Sequence, residues 1–262
     1  MAQQSSAIEI DKSEYKVRIT PHRRALPDYN EKCLYSVSIG AHELKIDQVV
    51  HAYKWAAKTF SSCALLLGDG LYRSTLQIIE GISEQDAIIK AEYKSKLTLD
   101  DFNMRIQELP PPNIIRTRDI IETSEFGSHL ETIERLYFGN SRFADSVNED
   151  ALWFVNRQKR NLRLGLSVES AIKLSRFYVK QEVAVYSHLA EQGYLIDVYL
   201  GREIPTLAKL MTEEIIGGVP RPLVNRTNIS LEKRVSRREK REKAALRNSM
   251  SSKELVAAFA FT

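Results

Sequence analysis

The stretch from Cys33 to Phe60, CLYSVSIGAHELKIDQVVHAYKWAAKTF, limits the fold more than any other. Cys33 to Val37 is a short apolar run of the kind that forms a buried strand. It breaks at Ser38-Ile39-Gly40. Beyond it, Ile46, Val49, Val50, Tyr53, Trp55, Ala56 and Phe60 fall at helical spacing. Strand, tight turn and helix make the first half of a βαβ unit, which predicts an α/β protein with a parallel sheet. In such sheets ligands bind beyond the carboxyl ends of the strands. Ser38 is predicted at that place, and Gly40 would let the chain turn there without a Cβ clash.

The rest of the chain extends this pattern. Residues 1 to 14 read as a loosely attached N-terminus, and Tyr15 to Thr20 as an edge strand. Cys63 to Leu67 is a second apolar run, closed by the turn residues Gly68-Asp69-Gly70, so Asp69 should also lie at a strand's carboxyl end. Ser83 with Asp86 suits a helix start. That helix should run to about Glu108 before Pro110-Pro111-Pro112 stop it. A third strand is expected over Asn113 to Arg118, and helices over Phe126 to Phe138 and Glu149 to Arg160. A long helix should span Ser167 to Ala190. On it Tyr178 and Glu182 are four residues apart and share a face. A carboxylate beside an apolar stripe needs a reason to be there. Leu195 to Leu200 reads as a fourth strand and Thr206 to Ile215 as a short helix. Pro220 and Pro222 mark the expected edge of a domain covering residues 15–222, with a basic tail over 223–262.

Composition narrows the function classes. At 262 residues and 43% hydrophobic content the chain can bury a full core. A net charge of +4 allows a polyanionic partner without demanding one. The only cysteines, Cys33 and Cys63, both sit in predicted strands, which favours buried free thiols over a disulfide. No apolar run is long enough to span a membrane, and MAQQSSAIEIDKSEYK is unlike a signal peptide. A cytoplasmic protein is the expectation. There is no Gly-x-Gly-x-x-Gly, no Walker loop and no Gly-x-Ser-x-Gly, and the histidines do not fall at metal-ligand spacing. Neither a cofactor nor a metal is expected.

Four local patterns together resemble the tRNA-dependent cyclodipeptide synthases. They are a strand ending in Ser38-Ile39-Gly40 before a helix with Trp55-Ala56, and a strand ending at Asp69. The third is the segment Thr123 to Arg157, similar to the family's paired helices. The fourth is Tyr178-Val-Lys-Gln-Glu182 followed by a strand with Tyr199. The resemblance implies a Rossmann-like domain similar to the catalytic core of class I tyrosyl- and tryptophanyl-tRNA synthetases, without their ATP signatures. It implies that Ser38 takes an aminoacyl group from one aminoacyl-tRNA. A second aminoacyl-tRNA would supply the attacking amine to give a dipeptidyl-enzyme, and aminolysis would release a cyclic dipeptide. Tyr178 and Glu182 would hold the ammonium, and Tyr199 would donate a hydrogen bond near Ser38. Enzymes that tailor the cyclic dipeptide would be natural partners.

The chain departs from the family's two main branches at Ala41 and Leu200, where other residues follow the serine and the strand tyrosine. It is most similar to a divergent group that uses arginine, and so Arg-tRNA is a candidate substrate. A carboxylate should then meet the guanidinium, with Asp69 and Glu203 as candidates. Lys90, Lys94 and Lys96 would contact the tRNA acceptor phosphates. Each residue also has an ordinary reading: Ser38 and Asp69 as turn formers, Tyr178 as core, Glu182 and the lysines as solvated surface. A non-catalytic tRNA- or RNA-binding module on a synthetase-like fold is the alternative from another class.

Overall fold

A computed structural model describes residues 20–21, 30–39, 46–158, 166–201, 204–212, 215, 218–224 and 227–230. In chain order the elements are β1 (Thr20–Pro21), β2 (Lys32–Val37), α1 (Ile46–Thr59), β3 (Ser62–Leu67), α2 (Asp69–Glu80), α3 (Glu84–Arg105) and β4 (Asn113–Arg116). There follow α4 (Thr117–Ile121), α5 (Ser124–Gly139), α6 (Ser141–Gln158), α7 (Val168–Glu191), β5 (Tyr194–Tyr199), α8 (Pro205–Met211), α9 (Arg221–Val224) and β6 (Thr227–Ser230).

The six strands form one sheet in the order β1-β6-β5-β2-β3-β4. β6, β5, β2, β3 and β4 are mutually parallel, and β1 runs antiparallel at the edge. From β2 the chain first steps outward through β3 to β4. It then returns to the other side of β2 for β5 and β6. That reversal is the topological switch of a doubly wound Rossmann-like sheet, and it lies between β2 and β5.

The two faces of β2 explain its composition. Leu34 points into the main core with Ala64 and Leu66 of β3 and Val179, Val183 and Leu189 of α7. Tyr35 points the other way, its ring 5.9 Å from Tyr53 of α1, which in turn meets Phe102 of α3 at 5.2 Å. A strand covered on both faces has no use for polar alternation, which is why KCLYSV reads as a nearly continuous apolar run. Cys33 and Cys63 are register partners on β2 and β3, and both are free thiols. The hydrogen bond with Cys63 and burial push the Cys33 thiol far above its usual value.

Helix starts follow the sequence closely. Ser83 accepts from Asp86 N at 3.1 Å, Thr123 from Phe126 N at 3.2 Å and Ser167 from Ser170 N at 3.0 Å. Other boundaries differ. Gly68-Asp69-Gly70 is no free turn: α2 begins at once and runs twelve residues to the left-handed cap Gly81. Gly70 sits in that first turn because α4 crosses it. A Cβ there would lie 2.6 Å from the Arg118 backbone, so a residue that reads as a turn signal is a packing residue. The third strand ends at Arg116, two residues early, because Thr117 opens α4. α6 starts at Ser141, not near Glu149, and α8 ends at Met211, short of Ile215. After Pro220 the chain makes α9, which contains Pro222, and then β6, which joins the sheet beside β5. Of the expected first strand only Thr20 is described. Residues 1–19 and the part of the expected basic tail beyond Ser230 lie outside the described residues.

Where α7 packs on α5, the buried His188 meets the half-buried His129. The rings of His129 and His188 stand nearly perpendicular, 5.4 Å apart. Gln192 Nε2 lies 2.8 Å from His188 Nε2, and His129 Nε2 lies 3.3 Å from Glu191 Oε2. Burial, and then the neighbouring His129, lower the His188 value from 6.5, against the opposing pull of Glu125 and Glu191. The unfolded chain therefore binds this proton more readily than the folded one. Stability should fall as pH drops below about 6.5. Urea midpoints at about pH 7.5 and about pH 5.5 should differ less in His188→Gln than in the parent protein. An equal difference would show that His188 has no part in it.

Candidate active site

The carboxyl ends of β2 and β5 flank the switch point, and the chain places chemistry at both. Ser38 follows β2 directly and is half-buried. Tyr199 ends β5, opposite Ser36 in the register of the two strands. Side chains alternate along a strand, so Ser38 shares its face with Leu34 and Ser36, and Tyr199 shares its face with Asp197. That face is the one covered by α7, since the Tyr186 hydroxyl of α7 donates to Ser36 Oγ at 3.2 Å.

From this anchor the position of the α7 carboxylate follows. α7 runs antiparallel to the strands, because the chain leaves it through a short turn straight into β5. Moving from Tyr186 back to Glu182 climbs one helical turn, about 6 Å, toward the strands' carboxyl ends. Moving from Ser36 to Ser38 climbs about 6.6 Å along β2 in the same direction. Ideal helix and strand rise would put Glu182 near the level of Ser38, with Tyr178 a further turn above. Glu182 and Tyr199 both stand within electrostatic reach of the Tyr178 hydroxyl. Burial, and then the charges of Glu182 and Tyr199, push the Tyr178 phenol well above its usual value, so it stays a donor at neutral pH. The Tyr199 ring folds back over Gly201, where a Cβ would come within 2.5 Å of the phenol oxygen. Glycine at 201 thus makes room for the ring.

Tyr178 and Glu182, neighbours on α7, are thus grouped with Tyr199 from the end of β5. Ser38 sits on the facing strand end. Ser36, the other hydroxyl on that face, is 6% exposed and donates to Asp197 Oδ1 at 2.5 Å. Ser38 is the reachable hydroxyl of the two. The pairing of Ser36 with Asp197 and Tyr186 could not be read from sequence, because Ser36 looks like an ordinary strand residue and its partners are 161 and 150 residues away.

The remaining candidates fall elsewhere. Asp69 is 1% exposed and tied to the protein's own groups. Its Oδ2 takes the Arg116 guanidinium at 2.6 Å, and its Oδ1 accepts from Gly70 N at 2.9 Å and Arg118 N at 3.2 Å. Thr117 Oγ1 and Ser95 Oγ reach the same carboxylate. Both oxygens are engaged in joining β3, β4, α3 and α4. Arg116 was the sequence signal for this, a cation at the end of the next strand. Lys90 pairs with Glu80, and Lys94 lies over the Tyr72 ring with its Nζ 3.0 Å from the phenol oxygen. Lys96 is exposed. Gly40 and Glu203 lie outside the described residues. Among the described residues no cluster of three or more metal-ligating side chains is placed to hold a metal ion, and no helix is long and apolar enough to cross a membrane.

No family model matches the sequence, and no curated protein matches it significantly. Solved structures do match the fold. A cyclodipeptide synthase from Fluoribacter dumoffii aligns over 77% of this chain and 90% of its own, with a TM-score of 0.66 and 21% identity. One from Candidatus Glomeribacter gigasporarum, bound to Phe-tRNAPhe, aligns over 78% of this chain and 88% of its own, with a TM-score of 0.55 and 16% identity. A Mycobacterium tuberculosis protein, described as relating cyclodipeptide synthetases to type I tRNA synthetases, covers 78% of this chain and 86% of its own, with a TM-score of 0.59 and 12% identity. The chain therefore has the Rossmann-like fold that cyclodipeptide synthases share with class I tRNA synthetases.

Asp69→Asn removes one partner of a buried ion pair and should destabilise the protein by about 3 kcal/mol in urea unfolding. A change below about 0.5 kcal/mol would show that the Asp69 cluster is not a structural joint.

Proposed function

We propose that the chain is a tRNA-dependent cyclodipeptide synthase that works through an aminoacyl ester on Ser38. The observation that carries this reading is the meeting of Tyr178, Glu182 and Tyr199 above the switch point that Ser38 borders. The fold likeness supports it, since the same architecture occurs in proteins described as cyclodipeptide synthases.

The chemistry runs in three balanced steps. Ser38 Oγ attacks the ester carbonyl of an aminoacyl-tRNA, and the tRNA ribose oxygen leaves, taking the serine proton. The ester is already activated, so no ATP site is required. Glu182, with Tyr178 beside it, holds the ammonium of the Ser38-bound residue and removes a proton to free the amine. That amine attacks the ester of a second aminoacyl-tRNA, whose ribose oxygen leaves with the proton the amine gives up, and the dipeptide remains on Ser38. This order corrects the expectation that the second tRNA brings the attacking amine. An attack in that sense would leave the dipeptide on tRNA rather than on the enzyme. The new terminal amine then attacks the Ser38 ester, closing the ring and restoring the hydroxyl. Tyr199 donates toward the oxyanion that forms at each acyl transfer.

Arginine as one of the two amino acids belongs to the same proposal. Asp69 already neutralises Arg116, which leaves Glu203 as the sequence candidate for meeting a substrate guanidinium. For the tRNA, Lys96 is the α3 lysine that points to solvent, whereas Lys90 and Lys94 are engaged within the protein. We assign the enzyme to the cytoplasm, where charged tRNA is available, and expect tailoring enzymes to act on its product.

Expression in a bacterial host should release diketopiperazines into the medium, detectable by mass spectrometry. Ser38→Ala should abolish them by at least about a hundred-fold while keeping tRNA binding. If neither protein makes product yet both bind tRNA, the chain is a binding module. Cyclic dipeptides containing arginine are expected among the products; their absence while others appear would remove arginine from the proposal.

A further inference from the structure

Directly beneath the candidate site lies a second, fully buried polar layer. Ser36 Oγ donates to Asp197 Oδ1 at 2.5 Å and accepts from the Tyr186 hydroxyl at 3.2 Å. Ser36, Asp197 and Tyr186 are 6%, 3% and 7% exposed. Each stands one structural repeat below a member of the site. Ser36 is two residues before Ser38 on β2, Asp197 two before Tyr199 on β5, and Tyr186 four after Glu182 on α7. Two strand residues and one helical turn are both about 6 Å, so the buried layer copies the geometry of the site one step lower.

Apolar packing alone would hold α7 less tightly. Val179, Val183 and Leu189 press it on the sheet, but apolar contact is non-directional and tolerates small slips along the helix axis. A hydrogen bond is directional. Burying three polar groups is tolerable only if they satisfy one another. The layer therefore fixes both the height and the rotation of α7 against β2 and β5.

We infer that Tyr186, Ser36 and Asp197 are positioning residues for the acyl-transfer reaction, a buried lock that holds Glu182 and Tyr178 in line with Ser38 and Tyr199. This inference rests on the reading of Ser38 and Glu182 given above. Ser38 needs only a reachable ester to load. The amine of the loaded residue, however, must be held and aimed at a second ester before water arrives. Loosening the lock should therefore spare the first step and harm the second. The loaded amino acid would be lost as free acid instead of passing into the ring.

The test uses the purified full chain with labelled aminoacyl-tRNA. The quantity read is the ratio of cyclic dipeptide to free amino acid released by enzyme. This ratio does not depend on how much of the sample is active, so a loss of folded protein cannot move it. Tyr186→Phe keeps the ring and deletes the hydroxyl; Asp197→Asn keeps the shape and weakens the Ser36 bond. Each should lower the ratio roughly ten-fold, since small misplacements are costly to oriented reactions. The double variant should be little worse than either single one, as expected for residues acting as a unit. An unchanged ratio in both folded variants overturns the inference. So does failure of both to fold, which would make the layer a requirement for folding rather than a positioning device. If the parent protein makes no cyclic dipeptide, the acyl-transfer reading itself fails, and the two failures are distinct.

Discussion

The central constraint on this molecule is the pairing of β2 with β3 on one side and β5 on the other. Both edges and both faces of β2 are occupied, so every residue from Cys33 to Val37 is buried. Only where the strand stops can a side chain reach solvent, and the first residue there is Ser38. The same pairing brings Tyr199 alongside, because β5 is parallel to β2 and ends one step short of it. The reversal of strand order between these two strands is the place where open α/β sheets commonly bind their ligands.

α7 brings the other half of the site. Its apolar residues face the sheet, while Tyr178, Glu182 and Tyr186 follow one another at four-residue intervals along a single stripe. The lowest is sealed in the buried layer with Ser36. The upper two, Tyr178 and Glu182, lie within electrostatic reach of each other and of Tyr199. A single helix thus combines a buried structural end with the end that carries the candidate residues. The first limits the freedom of the second.

Asp69 shows how one feature can carry two readings. A carboxylate at a strand's carboxyl end sits where α/β enzymes commonly keep a functional group. Here it receives Arg116 and the backbone at the start of two helices. Its job is to hold the junction of β3 and β4 with α2 and α4, on the outward side of the switch point. A buried carboxylate with an internal cation has little left for an external one.

The sequence by itself determined the local elements: which runs are strands, where Ser83 and Ser167 start helices, and that Tyr178 and Glu182 share a face. Those signals act over a few residues, through backbone hydrogen bonding and side-chain period. It misread Gly70 as a turn because glycine is equally suited to a turn and to a helix crossed closely by another. It missed β6 because a four-residue strand after two prolines has too short a pattern to stand out. Only the tertiary structure decided the strand order that sets the ends of β2 and β5 side by side, the burial of Ser36 with Asp197, and the commitment of Asp69 to Arg116. These depend on partners that lie 47 to 161 residues apart. Nothing local in a chain specifies which distant group will fill a given hydrogen bond. That is settled when the sheet closes and each buried polar atom must find a partner.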